Sequence, residues 1–544
     1  MASTAASNTT PDTASDLAST NTGHPRRWAI LAVLVVSLLV VVLDNTVLNV
    51  ALRTIADPKH GLGATQTDLE WAINSYTLVF AGLLFTAGVL ADRFGRRLIL
   101  IGGLALFGIA SLASAYAQTP DQLIWARALM GVGGAAVMPA TLSIISNVFD
   151  PRERGRAIGV WAGSVGLAVA IGPLVGGFLL EHFWWGSVFL INVPIALAGV
   201  VLVAALVPES RDPKPGRIDF LGVLLSIAGL VLLTYGVIEG GDHGFGDVRS
   251  WGTLIGAAVV LSSFILYERW ITFPSLDVKL FANRQFSASV GSIGLVFFAA
   301  MGSMFFMAFY LQLVRGYSPL ASGALMVPFA VAQMVFAPRS AKMVKRFGPK
   351  AVSTVGLIMV AIGLSGFVFF TATTPIWVLG ALFFVMGAGM ANVMPPATES
   401  IMAALPREKA GVGSAVGNTI RQVGGALGVA VLGSILSAVY RDDIASAVTG
   451  LPAGAKDAAG TSISGAYGVA AQAGPAGGEL IARANDAFIG AMHYAAIGSV
   501  IFALLGALTV FIWLPGKRPS GAPSPTSAEA LAEEQVVELA EAVG

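Results

Sequence analysis

Fourteen stretches of this chain are apolar for long enough to cross a lipid bilayer, and that pattern restricts the fold more than any single residue does. A helix rises 1.5 Å per residue, so roughly 20 apolar residues span a hydrocarbon layer of about 30 Å. The runs lie at about 28–50, 70–91, 98–117, 122–147, 156–180, 187–207, 218–238, 251–268, 286–312, 319–343, 351–371, 376–403, 411–439 and 487–514. In hydrocarbon each backbone amide must be satisfied within the protein, which leaves helices as the natural spanning element. The expected fold class is therefore all-α and integral to a membrane. Only 12% of the residues are charged, against about 25% in soluble domains. The formal net charge of +1 gives no electrostatic footprint for nucleic acid.

Lys and Arg orient the runs, because basic residues concentrate on the cytoplasmic side. With both termini in the cytoplasm, 23 of the 32 Lys and Arg fall in cytoplasmic segments, 7 in outside loops, and Arg127 and Arg421 inside spans. An even number of spans is expected, with a Gly/Ala-rich, mobile outside loop at 440–486. Residues 1–27 read as a disordered cytoplasmic arm without a signal peptide's apolar core. Residues 516–544 read as a cytoplasmic tail. An internal repeat also shows. Asp92-Arg93-Phe94-Gly95-Arg96-Arg97 matches Lys345-Arg346-Phe347-Gly348-Pro349-Lys350, and Pro151-Arg152-Glu153-Arg154 matches Pro406-Arg407-Glu408-Lys409. The two matches are offset by almost the same number of residues, which marks a duplicated unit in parallel orientation. This divides the chain into a first six-helix bundle (28–207), two inserted spans (208–270) and a second six-helix bundle (271–515).

The chemistry-bearing residues are few. Asp44 lies 16 residues past Trp28, which is about 24 Å into the first run. Arg127 lies 6 residues past Asp121, about 9 Å into the fourth run from the opposite side. The two share a depth, and an ionisable group in hydrocarbon is functional by default. The second half offers Glu399 and Arg421. Met301, Phe305 and Asn392 are candidate cavity residues, since Met and aromatic groups suit varied apolar or cationic ligands. The chain has no cysteine and no G-x-x-x-x-G-K-[ST] phosphate loop. No cluster has metal-ligand spacing, so neither cofactor nor metal is expected, and the chain does not read as an enzyme.

Between the second and third runs, Gly88-Val-Leu-Ala-Asp92-Arg93-Phe-Gly95-Arg96-Arg97 joins two helices across a turn too short to hold a domain. Gly88 and Gly95 are expected to let backbones approach closely. This stretch resembles the signature loop between the second and third spans of the major facilitator superfamily. Arg127 followed by Gly131, Gly133, Gly134 and Pro139 is similar to that superfamily's fourth-span motif, associated with proton transfer. Gly172, Pro173, Gly176 and Gly177 resemble the fifth-span signature of its antiporters, and Trp185 with Phe189-Leu-Ile-Asn192-Val-Pro194 resembles the sixth-span entry of fourteen-span drug/proton antiporters. Asn192 reads as a helix-packing hydrogen bonder.

The resemblance implies a major facilitator fold working by alternating access. The implied function is a proton-coupled exporter of apolar or cationic drugs and antibiotics in a bacterial plasma membrane. Its partners are then the small-molecule substrate, the proton and the lipid bilayer. Asp44, Arg127, Glu399 and Arg421 would couple protons, and the loop from Gly88 to Arg97 would gate the cytoplasmic side. The alternatives are an exporter of one endogenous metabolite, siderophore or lipid on the same fold, and a membrane receptor without transport, which the duplicated halves and buried charges disfavour.

Overall fold

The computed structural model describes residues 24–211, 219–244 and 247–516, apart from 273, 275, 277, 404–409 and 474–476. All regular structure among the described residues is helical. The first bundle holds α1 (Arg27–Ala56), α2 (Gln66–Phe94), α3 (Arg96–Ala115), α4 (Pro120–Val148), α5 (Pro151–His182) and α6 (Ser187–Leu206, with a break at Ile191). Two inserted helices follow, α7 (Phe220–His243) and α8 (Val248–Trp270). The second bundle opens with α9 (Arg284–Phe309, running on through a π turn at Tyr310–Val314) and α10 (Pro319–Ala324 and Val327–Phe347). It continues with α11 (Pro349–Ser365), α12 (Ile376–Ala391 and Met394–Ala403) and α13 (Ala410–Ile444). Two short helices, α14 (Ala453–Thr461) and α15 (Ile463–Ala473), precede the last long one, α16 (Gly477–Trp513).

Among the described residues, twelve helices are long and apolar enough to span a bilayer, and α2, bent by 53° near Leu84, makes a thirteenth. The fourteen expected spans are thus met by twelve or thirteen on this criterion, with helix α5 occupying the fifth apolar run. Helix starts follow ordinary capping. Thr65 Oγ1 accepts from the Asp68 amide at 3.2 Å while Asp68 Oδ2 accepts from the Thr65 amide at 2.9 Å, closing a capping box on α2. The duplication is visible in the backbone. Gly95 (φ 122°) joins α2 to α3, and Gly348 (φ 84°), its counterpart in the repeat, joins α10 to α11. Only glycine takes these φ values without strain.

The end of the molecule holding residues 27 and 516 is called the base here, and the opposite end the top. Among the described residues, the hydrogen bonds between the bundles lie toward the top. Gln312 Nε2 donates to the Val50 carbonyl at 2.9 Å, and Gln66 Nε2 to the Gly433 carbonyl at 3.2 Å. Glycine lets backbone meet backbone there: a Cβ on Gly177 would fall 2.5 Å from Leu320 Cα, and one on Gly323 would fall 2.2 Å from the Pro173 carbonyl. Toward the base the seam changes character. Every residue of α13 from Gly417 to Gly424 is partly exposed, whereas Gly425, Ala426 and Val429 are buried. Inserted helix α7 lies along the α2–α13 seam and touches both bundles: Ser434 Oγ donates to the Val237 carbonyl at 3.0 Å, and the Trp71 and Tyr235 rings stand 6.2 Å apart.

The loop at 440–486, read from composition as mobile, is instead folded among its described residues, which exclude 474–476. Ala459, Ile463, Ala466 and Ala470 are buried, and Tyr440 Oη donates to the Ala459 carbonyl at 3.1 Å. Tyr467 Oη bonds the Leu313 carbonyl and Asn485 Oδ1, each at 3.0 Å. Burial pushes the Tyr467 hydroxyl above its usual range, so it stays a donor.

Candidate functional site

The first bundle encloses a polar cluster at Asp44, which is 2% exposed on α1. Arg127 on α4, fully buried, bonds Asp44 Oδ2 through Nη1. Asn192, at the break in α6, donates to Asp44 Oδ1 at 2.9 Å. Arg127 Nε donates to the Ala72 carbonyl at 3.1 Å, while its guanidinium stands 4.4 Å from the Tyr76 ring centre and 5.9 Å from that of Phe189. Four helices therefore converge on one carboxylate. An isolated charge in a membrane interior is costly, and a paired, hydrogen-bonded one is tolerated. Arg127 Nη2 has no hydrogen-bond partner, so the cation keeps one unused donor beside Asp44. Such an arrangement compensates a buried carboxylate with one cation and one amide, so any loss of the carboxylate's charge would weaken its hold on the arginine.

The sequence expectation of equal depth for Asp44 and Arg127 corresponds to a direct bond. Asn192, expected to hydrogen-bond between helices, does so by donating to the second carboxylate oxygen of Asp44 and to Ser111 Oγ at 3.4 Å. Glu399 and Arg421 are not brought together. Glu399 is exposed on α12, and Arg421 on α13 stands half-buried with its guanidinium 5.6 Å from the Phe297 ring centre. Of the cavity candidates, Met301 is half-buried beside Gly425, whose added Cβ would sit 3.1 Å from Met301 Cγ. Phe305 is fully buried against Phe309, with ring centres 5.7 Å apart. Asn392, 3% exposed, donates to the Ala388 carbonyl at 2.9 Å and leaves its Oδ1 unpartnered.

At the base, Asp92 bonds Arg96 one turn on, with Oδ1 at 2.8 Å from Nη2 and 2.9 Å from Nε. Arg93 is exposed beside Phe94. Arg97 donates to the Ala204 carbonyl. The expected close approach at Gly88 does not occur, because a Cβ there would be in ordinary contact 3.7 Å from Pro139. Gly95 does meet a close neighbour, but it is a side chain: its Cβ would fall 2.6 Å from Glu209 Oε1. That oxygen accepts from the Arg97 amide at 3.2 Å, and the Ser210 carbonyl accepts from the Arg96 amide at 3.0 Å. Glu209 thus faces the N-terminal amides of α3, where a negative charge is favourable.

In α5, Gly172 and Gly176 seat the helix on α1. A Cβ on Gly172 would overlap Thr46, and one on Gly176 would fall 2.9 Å from Val47 Cγ1. Gly177 and Pro173 lie at the seam with α10. Small-residue spacing of this kind permits close helix crossing. Two groups at the α2–α13 seam carry no sequence signal beyond their i, i+4 spacing. Glu70, 2% exposed, accepts from Gln66 at 3.3 Å, and a Cβ on Gly433 would fall 2.3 Å from Glu70 Oε1.

A profile of the Major Facilitator Superfamily matches residues 34–429, well over half of the chain. The chain belongs to the major facilitator superfamily. Among the relatives of this superfamily member is the multidrug efflux pump LfrA of Mycolicibacterium smegmatis, 37% identical over 90% of this chain and 97% of that protein. The methyl viologen resistance protein SmvA of Salmonella typhimurium is 36% identical over 79% of this chain and 85% of that protein. A solved bacterial homolog of the human lysosomal transporter Spinster, inward-facing and occupied, shares the fold with a TM-score of 0.63 at 17% identity. That alignment covers 90% of this chain and 97% of the other. The superfamily member described here is thus a multi-pass membrane transporter related to drug-efflux and resistance proteins.

Proposed function

We propose that this transporter exports apolar or cationic drugs across the bacterial plasma membrane in exchange for protons, by alternating access. The observation that carries the reading is the buried Asp44 carboxylate held by Arg127 and Asn192. It is a protonatable group enclosed by apolar surface, with a cation that a proton could free. The efflux and resistance names of the relatives support the direction of transport. The distribution of Lys and Arg supports a cytoplasmic base with both termini inside. The top-side contacts and the partly exposed stretch of α13 from Gly417 to Gly424 fit a state open toward the cytoplasm.

In this reading the substrate enters from the base and meets the half-buried Met301 and Phe297 on α9. Protonation of Asp44 from outside and its release inside drive the return. Asp92 closes the base by leaving Arg96 for the N-terminus of α13 near Ala410 to Gly413, whose side chains lie outside the described residues. The free backbone amides there carry partial positive charge. The test is dye efflux from whole cells. Cells expressing the protein should retain less of a cationic dye, and a protonophore should raise retention to that of cells lacking it. Efflux that ignores a protonophore, or uptake driven by an inward proton gradient, would contradict the proposal.

A further inference from the structure

We infer that Arg421 is a binding site for a carboxylate on the transported compound. The inference rests on the export reading and names a substrate class beyond it: amphiphiles that carry an acid alongside their apolar or cationic body. A guanidinium offers five N–H donors and always carries its charge. Among the described residues, no carboxylate and no hydrogen-bond acceptor is paired with Arg421. Its guanidinium stands over the Phe297 ring, 5.6 Å from its centre, and Tyr76 on α2 lies within electrostatic reach. Asp44 is already engaged by Arg127 and Asn192, and Glu399 faces solvent. An unneutralised cation at this depth is expensive to keep, and an incoming anion would relieve that cost.

Position favours a ligand as that anion. Arg421 lies in the partly exposed stretch of α13, on the base side of the point where the seam closes at Gly425. It is therefore reachable from the side where substrate enters. Its backbone is fixed. A Cβ on Gly424 would fall 2.3 Å from the Gly294 carbonyl, and one on Gly428 would fall 2.1 Å from the Phe298 carbonyl, so α13 is locked to α9. Arg421 and Phe297 then move together as one cationic and one aromatic face. Together they match an acid attached to a flat apolar body, through a charge-assisted hydrogen bond and ring contact.

The test uses a matched pair of dyes, rhodamine 6G and its free acid, which differ only in an ethyl ester. Equilibrium binding is measured by fluorescence anisotropy on the purified full chain in lipid nanodiscs. Arg421→Ala should raise the acid-to-ester ratio of Kd by about 10- to 100-fold, the range for a hydrogen bond to a charged group. Arg421→Lys should restore part of the preference. A merely structural defect would weaken both dyes alike and leave the ratio unmoved, and that result would overturn the inference. So would a coupling role in which transport rates fall while the ratio holds. Failure of the wild-type chain to bind either dye would instead count against drug export itself, and with it this site.

Discussion

Gly177→Ala isolates the contact between the two bundles. The added Cβ would fall 2.5 Å from Leu320 Cα and 2.7 Å from the Pro319 carbonyl, both backbone atoms of the opposite bundle that cannot rotate away. Forcing a methyl into a packed contact costs about 1–3 kcal/mol. In the proposed cycle Gly177 touches the other bundle only when the top is closed, so that cost falls on one of its states. The equilibrium should shift toward top-open by about 5- to 150-fold at 1.4 kcal/mol per tenfold. The chain has no cysteine, so a single reporter needs no background removal. Ser322→Cys places one at a seam position 2% exposed. Its labelling by a membrane-impermeant thiol reagent from the top side should accelerate by the same factor in the Gly177→Ala background. Gly102→Ala, where the added methyl meets nothing within 4 Å, should leave the rate as it was. A well-folded Gly177→Ala protein labelled at the parent rate would refute the claim that this seam separates during the cycle.

Three further outcomes follow from the same geometry. Glu209→Gln removes the charge facing the α3 amides at a site worth about 0.3–1 kcal/mol, so thermal stability in detergent should fall slightly while turnover falls several-fold if the loop is part of the gate; unchanged turnover would separate Glu209 from gating. Arg127→Ala strands a buried carboxylate and should cost about 3–5 kcal/mol, read as a sharp drop in folded yield, with Arg127→Lys recovering yield better than flux. Asp92→Asn should slow turnover and raise labelling of a cysteine placed at the base, and an unchanged rate and accessibility would sink the proposed latch.

The sequence made the membrane fold legible because a long apolar run can be little else than a span, and because charge bias and duplication leave marks at fixed offsets. Asp44 and Arg127 stood out since ionisable groups inside apolar runs are rare, and depth alone placed them level. Asn192 could not be ranked above other polar residues, as a neutral amide carries no signal until its partner is known. Glu209 lies 112 residues from the Arg97 amide it accepts from, beyond any local pattern. Gly88 was misread because a small residue permits close approach without requiring it. The segment at 440–486 was misread because Gly and Ala composition suggests flexibility, whereas alanine is also the best helix former. There, Ala459, Ala466 and Ala470 pack as helix faces. Phe305 and Phe309 share a period with Met301, but which face of α9 meets the partly exposed seam is decided by packing against α13 and α16.

Proton coupling through Asp44 is tested most directly by measuring proton and drug fluxes together in proteoliposomes that carry a pH dye inside. With the wild-type chain, an imposed drug gradient should move protons in the opposite direction, and the two fluxes should scale. Asp44→Asn keeps the side chain's shape and its place beside Arg127 and Asn192 but removes the titrating group. The account predicts that this variant inserts and binds drug yet moves no protons against it at any pH. Drug-driven proton movement by Asp44→Asn at the wild-type rate would contradict it.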